Sequence, residues 1–161
     1  MNREMPRTLK IVTVWLLLAT VLFLAVQAWL AERSRARVSV LGMGVVELRR
    51  AGDGHFHWPA RVNGRTVEFL VDTGATRTAL PGPLAQQLGL TDGVPVRSST
   101  AGGLAHGYEV QVDIELEGGL RATGLRVTVL PQLQAPLLGM DVLGRLRFSQ
   151  NDGVLRLQPT D

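Results

Sequence analysis

Phe69-Leu70-Val71-Asp72-Thr73-Gly74-Ala75-Thr76 joins an apolar, strand-like run to an acid, a hydroxyl and a glycine. In physical terms, a buried strand delivers one carboxylate to a tight turn. There glycine lets the backbone approach closely, and its amide can donate to the carboxylate. The plain alternative is a strand followed by an ordinary polar turn, because Asp, Thr and Gly all favour turns. The surrounding sequence decides between the two.

Charge falls unevenly along the chain. Residues 1–37 hold six Lys or Arg against two acids, whereas the remaining 11 basic and 12 acidic residues nearly cancel, within an overall net charge of +3 and a pI near 10.5. The basicity flanks an apolar segment instead of forming a patch, and no basic cluster is interleaved with aromatics. Nucleic acid is therefore not an expected partner. Cysteine is absent, which removes disulfides, thiol catalysis and thiolate metal sites.

Residues 11–30 carry no charge; Thr13, Thr20 and Gln27 are the polar interruptions, and Trp15 and Trp29 lie toward the ends. A helix of this length spans about 30 Å, the thickness of a bilayer's hydrocarbon core. A cleaved signal peptide is the rival, but its apolar region is normally about 7–15 residues and ends in a small-x-small site. Val26-Gln27-Ala28-Trp29-Leu30-Ala31 offers no clean one. The expectation is a basic tail over 1–10, a transmembrane helix over 11–30 contacting the lipid bilayer, and a linker over 31–44. Three basic residues precede the span and three follow it, so the positive-inside rule gives almost a tie for orientation.

From Val45 onward the pattern is that of one compact all-β domain, 45–161, with short strands and recurrent turn signals. Strands are expected over 45–50, 55–62, 66–71, 94–99, 108–117, 120–130 and 154–158, with hairpin turns at Asn63-Gly64, Gly118-Gly119 and Asn151-Asp152-Gly153. Two short helices are expected, over 83–88, stopped by Gly89, and over 141–146, where Asp141 complements the first turn. There is no internal repeat.

The 69–76 stretch resembles the catalytic loop of the retroviral-type, or retropepsin-like, aspartic proteases, in which an apolar strand enters an Asp-Thr/Ser-Gly loop followed by Ala and a hydroxyl residue. Pro136-Leu137-Leu138-Gly139-Met140-Asp141-Val142-Leu143 resembles that family's apolar-apolar-Gly strand, which passes beneath the loop and runs into the C-terminal helix. Between them, Ser98-Ser99-Thr100-Ala101-Gly102-Gly103-Leu104-Ala105-His106-Gly107 is a glycine-rich hairpin in the position of the flap; Gly102-Gly103 departs from the Asn-Gly more usual there. The wider pattern over 54–158 is similar to the bacterial membrane-anchored branch of this clan.

The resemblance implies a closed β-barrel-type acid protease domain with one or two short helices. It implies hydrolysis of a peptide or protein substrate without cofactor or metal, by a water activated between two carboxylates that share one proton. A single Asp-Thr-Gly requires two chains, so Asp72 would act with its mate across a two-fold homodimer interface. By the same resemblance, Thr73 would bond across the interface, Gly74 would bring its amide to the carboxylate, Ala75 would follow in the supporting loop, and Thr76 would donate to an outer oxygen. Thr100, Ala101, Gly102 and Gly103 would close over the peptide. The branch is bacterial, which implies the inner (cytoplasmic) membrane with the domain on the periplasmic side.

Other candidates are weaker. His55 and His57, two apart in an expected strand, share a face, but a third metal ligand such as His106 would have to come from the flap. Ser98 and Ser99 lack the strained Gly-x-Ser-x-Gly turn of a serine nucleophile. Asp113, Glu115 and Glu117 alternate with apolar residues, as on a solvated strand face, and Arg145 and Arg147 read as exposed charge. A non-catalytic peptide-binding module of the same fold is the alternative function. Against it stands the cost of burying an acid pair that a binder does not need.

Overall fold

The computed structural model describes residues 7–33, 37–40, 44–100 and 102–160. The chain divides into two units, Met1–Arg35 and Ala36–Asp161. In the first, helix α1 (Arg7–Arg33) contains the span Ile11–Trp29, long and apolar enough to cross a membrane, with every side chain of that span exposed. Thr20 Oγ1 donates to the Leu16 carbonyl at 2.8 Å, which satisfies a hydroxyl inside the apolar run.

The second unit is mostly β. Its strands are β1 (Arg37–Val40), β2 (Val46–Arg49), β3 (His57–Val62), β4 (Arg65–Val71), β5 (Ala79–Pro81), β6 (Val94–Thr100), β7 (Gly103–Leu116), β8 (Leu120–Leu130), β9 (Leu137–Leu138), β10 (Leu146–Asn151) and β11 (Val154–Pro159). Helix α2 (Gly82–Gln87) follows β5, and α3 (Met140–Leu143) follows β9. In the larger sheet β8, β5, β9, β4, β3 and β7 pair in turn, and β7 pairs back onto β8, so the sheet closes into a barrel. β1 extends it on β8 and β6 on β7. Strand pairing thus begins inside the stretch 31–44. β10, β11 and β2 form a separate three-stranded antiparallel sheet.

Alternation builds the interior. Val110, Val112, Ile114 and Leu116 on β7 are buried, while Gln111, Asp113 and Glu115 are exposed. Trp58 on β3 sits opposite Phe69 on β4, both wholly buried. The Trp58 indole N–H donates to the Glu117 carbonyl at 2.8 Å, so the largest core side chain leaves no polar atom unpaired. The Asn63-Gly64 turn has φ of 48° and 82°, the left-handed pair that a two-residue hairpin needs.

Two expectations are corrected. The helix expected over 141–146 is the single turn Met140–Leu143, closed at Gly144. Leu146 instead opens β10, because Leu146, Arg147, Phe148 and Ser149 find partners along β11. The strand expected from 108 starts at Gly103, since β7 also forms one arm of the hairpin with β6. β5 and β9 carry no alternation: Ala79, Leu80 and Pro81 are all buried, the signature of a strand covered on both faces.

Candidate active site

β4 carries Asp72 to the end of the barrel, and β9 lies parallel beside it, with Leu70 opposite Leu137 and Val71 opposite Leu138. The Leu70 N–H donates to Pro136 at 2.8 Å, Val71 to Phe56 at 2.9 Å and Asp72 to Leu138 at 3.1 Å. The backbone is therefore held on both sides up to the acid itself. The chain then turns, with Ala75 N–H donating to the Asp72 carbonyl at 3.2 Å and Gly74 N–H to Asp72 Oδ1 at 2.9 Å. A Cβ on Gly74 would lie 3.2 Å from that same oxygen, so a side chain there would crowd the bond. The carboxylate is half-buried, and Thr73 and Gly74 are exposed. Among the described residues the hydroxyls of Thr73 and Thr76 bond nothing.

The outgoing half of the loop is fastened to the start of α3. Met140 N–H donates to the Ala75 carbonyl at 2.8 Å and Asp141 N–H to the Thr76 carbonyl at 3.2 Å, so loop carbonyls satisfy first-turn amides of the helix. Thr78 lies fully buried beneath. Its N–H donates to both Asp141 carboxylate oxygens at 3.0 Å, its hydroxyl donates to Asp141 Oδ1 at 2.8 Å and accepts Gly139 N–H at 3.2 Å. A Cβ on Gly139 would meet the Arg77 carbonyl carbon at 2.4 Å, so only glycine lets the two loops pass. Asp141, expected only to complement a helix start, is thus one half of a clamp. Thr78 was not singled out by the sequence.

The β6–β7 hairpin stands over this loop. Thr100 pairs with Gly103, and Thr100 Oγ1 donates to the Gly103 carbonyl at 2.8 Å. A cleft of about 850 Å³ separates hairpin and loop. Asp72, Gly74, Ala75 and Thr76 line one side, and Val96, Ser98, Thr100 and Gly102 the other, while Ala79, Leu130 and Leu137 give an apolar wall. Thr73 and Gly103 are outside this lining, and Ala101 lies outside the described residues. At the hairpin base a Cβ on Gly107 would fall 2.1 Å from the Val129 carbonyl oxygen, so glycine permits β7 to cross close over β8.

Three charged residues that the sequence did not single out are also among those lining the cleft. Arg77 and Glu109 form an ion pair, and Arg97 is an exposed residue of β6. Elsewhere, His57 Nε2 lies 2.7 Å from Asp53 Oδ2 and its Nδ1 lies 3.6 Å from Glu68 Oε2, while His106 sits across from Arg97 on β7. Among the described residues no group of three or more side chains is arranged to hold a metal ion.

A protein-family model, the gag-polyprotein aspartyl protease, matches residues 58–145. An uncharacterized protein in the cobV 5' region of a Sinorhizobium species is 33% identical over 114 residues, covering 68% of this chain and 49% of that protein. The uncharacterized protein RP867 of Rickettsia prowazekii (strain Madrid E) is 47% identical over 47 residues, covering 29% of this chain and 20% of that protein. The chain therefore spans about half the length of the first of these relatives and less of the second. The crystal structure of a retropepsin-like aspartic protease from Rickettsia conorii superposes with a TM-score of 0.62 at 30% identity, covering 76% of this chain and 94% of that one.

Proposed function

The chain belongs to the retropepsin-like aspartic protease family, and on that premise we propose that it is a membrane-anchored aspartic endopeptidase whose active site forms when two copies bring their Asp72 carboxylates together. One observation carries this reading. The Asp72 carboxylate is oriented by the Gly74 amide at the wall of a peptide-sized cleft, yet among the described residues no second acid lining it is free to share its proton. Glu109, the other acid lining the cleft, is bound to Arg77, and the Asp141 carboxylate is taken up by Thr78. The complement comes from a symmetry mate. The exposed Thr73, its hydroxyl without a partner within the described chain, lies beside it for bonding across the interface.

In the pair, one carboxylate is ionised and takes a proton from water, whose oxygen attacks the peptide carbonyl carbon. The other, protonated, gives its proton to the carbonyl oxygen. The tetrahedral diol then collapses: the carboxyl that took the water proton passes it to the amide nitrogen, the other, now ionised, takes back a proton from a diol hydroxyl as the carbonyl re-forms, and the C–N bond breaks. The hairpin of Thr100 and Gly102 covers the peptide and excludes water. Helix α1 anchors the enzyme in the bacterial inner membrane, with the barrel on the periplasmic side.

The test uses the full chain in detergent micelles with a fluorogenic peptide library. Asp72→Asn is expected to lower the rate at least about hundredfold, the scale of general acid–base catalysis. Added to wild type in excess, it is expected to poison activity beyond simple dilution, since each mixed pair lacks one carboxylate. Equal cleavage by Asp72→Asn would sink the mechanism.

A further inference from the structure

The hairpin leaves the barrel at a definite place. Tyr108 and Glu109 are the last residues toward the tip at which β7 has a partner on each side, Val129 and Thr128 of β8 and Pro95 and Val94 of β6. From Gly107 to Gly103, β7 pairs with β6 alone, and β6 is the sheet's edge. Two side-chain bonds leave this root on opposite faces, as successive strand residues do. Tyr108 OH donates to the Leu90 carbonyl at 2.8 Å, and Glu109 takes the Arg77 guanidinium inside the cleft that both line. Arg77 belongs to the loop that carries Asp72. Its backbone is fixed on either side, because the Thr76 carbonyl accepts Asp141 N–H and Thr78 is held by the Asp141 carboxylate. The ion pair therefore joins the foot of the hairpin to the acid loop.

We propose that Arg77 and Glu109 are positioning residues, whose pair sets the height at which the hairpin stands over Asp72 and holds it ready to receive a peptide. The inference rests on the proteolytic reading given above. A two-stranded arm is marginally stable by itself, so its angle is settled where it joins the barrel. With the pair broken, the hairpin samples positions that do not fit the peptide, and apparent affinity falls with the fraction of time spent in the fitting one. The carboxylates that do the chemistry are untouched, so the effect belongs in KM and not in kcat. Arg77 is 55% exposed and Glu109 20%, so dissolved salt reaches the pair and weakens it.

An uncharged fluorogenic peptide, given to the full chain in micelles, removes direct attraction between substrate and pair. Glu109→Gln is expected to raise KM about fivefold, the upper range for a partly exposed ion pair, with kcat within about twofold and the urea midpoint little moved. The reversed pair, Arg77→Glu with Glu109→Arg, is expected to recover most of the loss, which contact of either side chain with substrate would not produce. Wild-type KM is expected to rise with salt toward that of Glu109→Gln, whose own KM stays level. Hydrogen exchange at the backbone amides of residues 94–107, read by mass spectrometry without peptide, is expected to quicken in Glu109→Gln while that of β3 and β4 stays unchanged. Unchanged KM with unchanged hairpin exchange would overturn the proposal, as would a loss confined to kcat. Faster hairpin exchange with no peptide cut by wild type would keep the tie and overturn the proteolysis; cleavage with KM and exchange indifferent to the pair would do the reverse. If Glu109→Gln fails to fold, the salt series on wild type, read by hairpin exchange, decides alone.

Discussion

Thr78 joins two loops through one hydroxyl, which donates to Asp141 and accepts from Gly139. Thr78→Val keeps the shape but leaves a buried N–H and part of a carboxylate without partners, an expected loss of about 1–3 kcal/mol read as a lower urea midpoint. Thr78→Ser, which restores the hydroxyl, is expected to recover most of it; equal midpoints for Val and wild type would refute the clamp. The acid loop and the clamp differ in how visible they are in the sequence. Asp72, Thr73 and Gly74 are contiguous and carry a recognisable local pattern. Thr78 and Asp141 meet across 63 positions, and each alone looks like any threonine or any helix-start acid. Arg77 and Glu109, 32 positions apart, were hidden for the same reason.

Among the elements, the loop before β3 braces the acid from behind, because Phe56 supplies the carbonyl that accepts Val71 N–H. Asp53 shapes that loop: the His55 backbone N–H, then the His57 side chain, hold its carboxyl below the ordinary carboxylate range. A lowered folded pKa stabilises above the unfolded value, and the gain is lost as pH falls through the folded one. The stability difference between wild type and Asp53→Asn is thus expected at pH 7 and should shrink below about pH 4. Urea midpoints at both ends check it, and a difference independent of pH would exclude the link. Hairpins were legible because Asn63-Gly64 and Gly118-Gly119 state their turn chemistry within two residues. β10 was partly absorbed into a helix because one helical turn followed by an alternating run looks, over a short window, like two turns. β5 and β9 have too few residues, buried on too many sides, to show any period.

At the scale of the whole molecule, the ring of strands closed by β7 on β8 leaves Asp72 on the rim of the barrel, and on the mechanism proposed above the second carboxylate would come from another copy. On that proposal assembly would depend on encounter, and the apolar span Ile11–Trp29, long enough to cross a membrane, would bear directly on it. In detergent, with each chain in its own micelle, specific activity is expected to fall on dilution. In vesicles at constant protein-to-lipid ratio it is expected to stay level, because confinement to a bilayer holds the effective concentration. Equal dilution curves in the two settings would count against tethered pairing. The lone, oriented Asp72 carboxylate has a further consequence for how a cell would govern such an enzyme. Where pairing is sparse, output follows the square of copy number per unit membrane area, so halving expression cuts proteolysis to roughly a quarter. On that proposal latency would be written into abundance, and the chain would act as its own zymogen for as long as it is scarce.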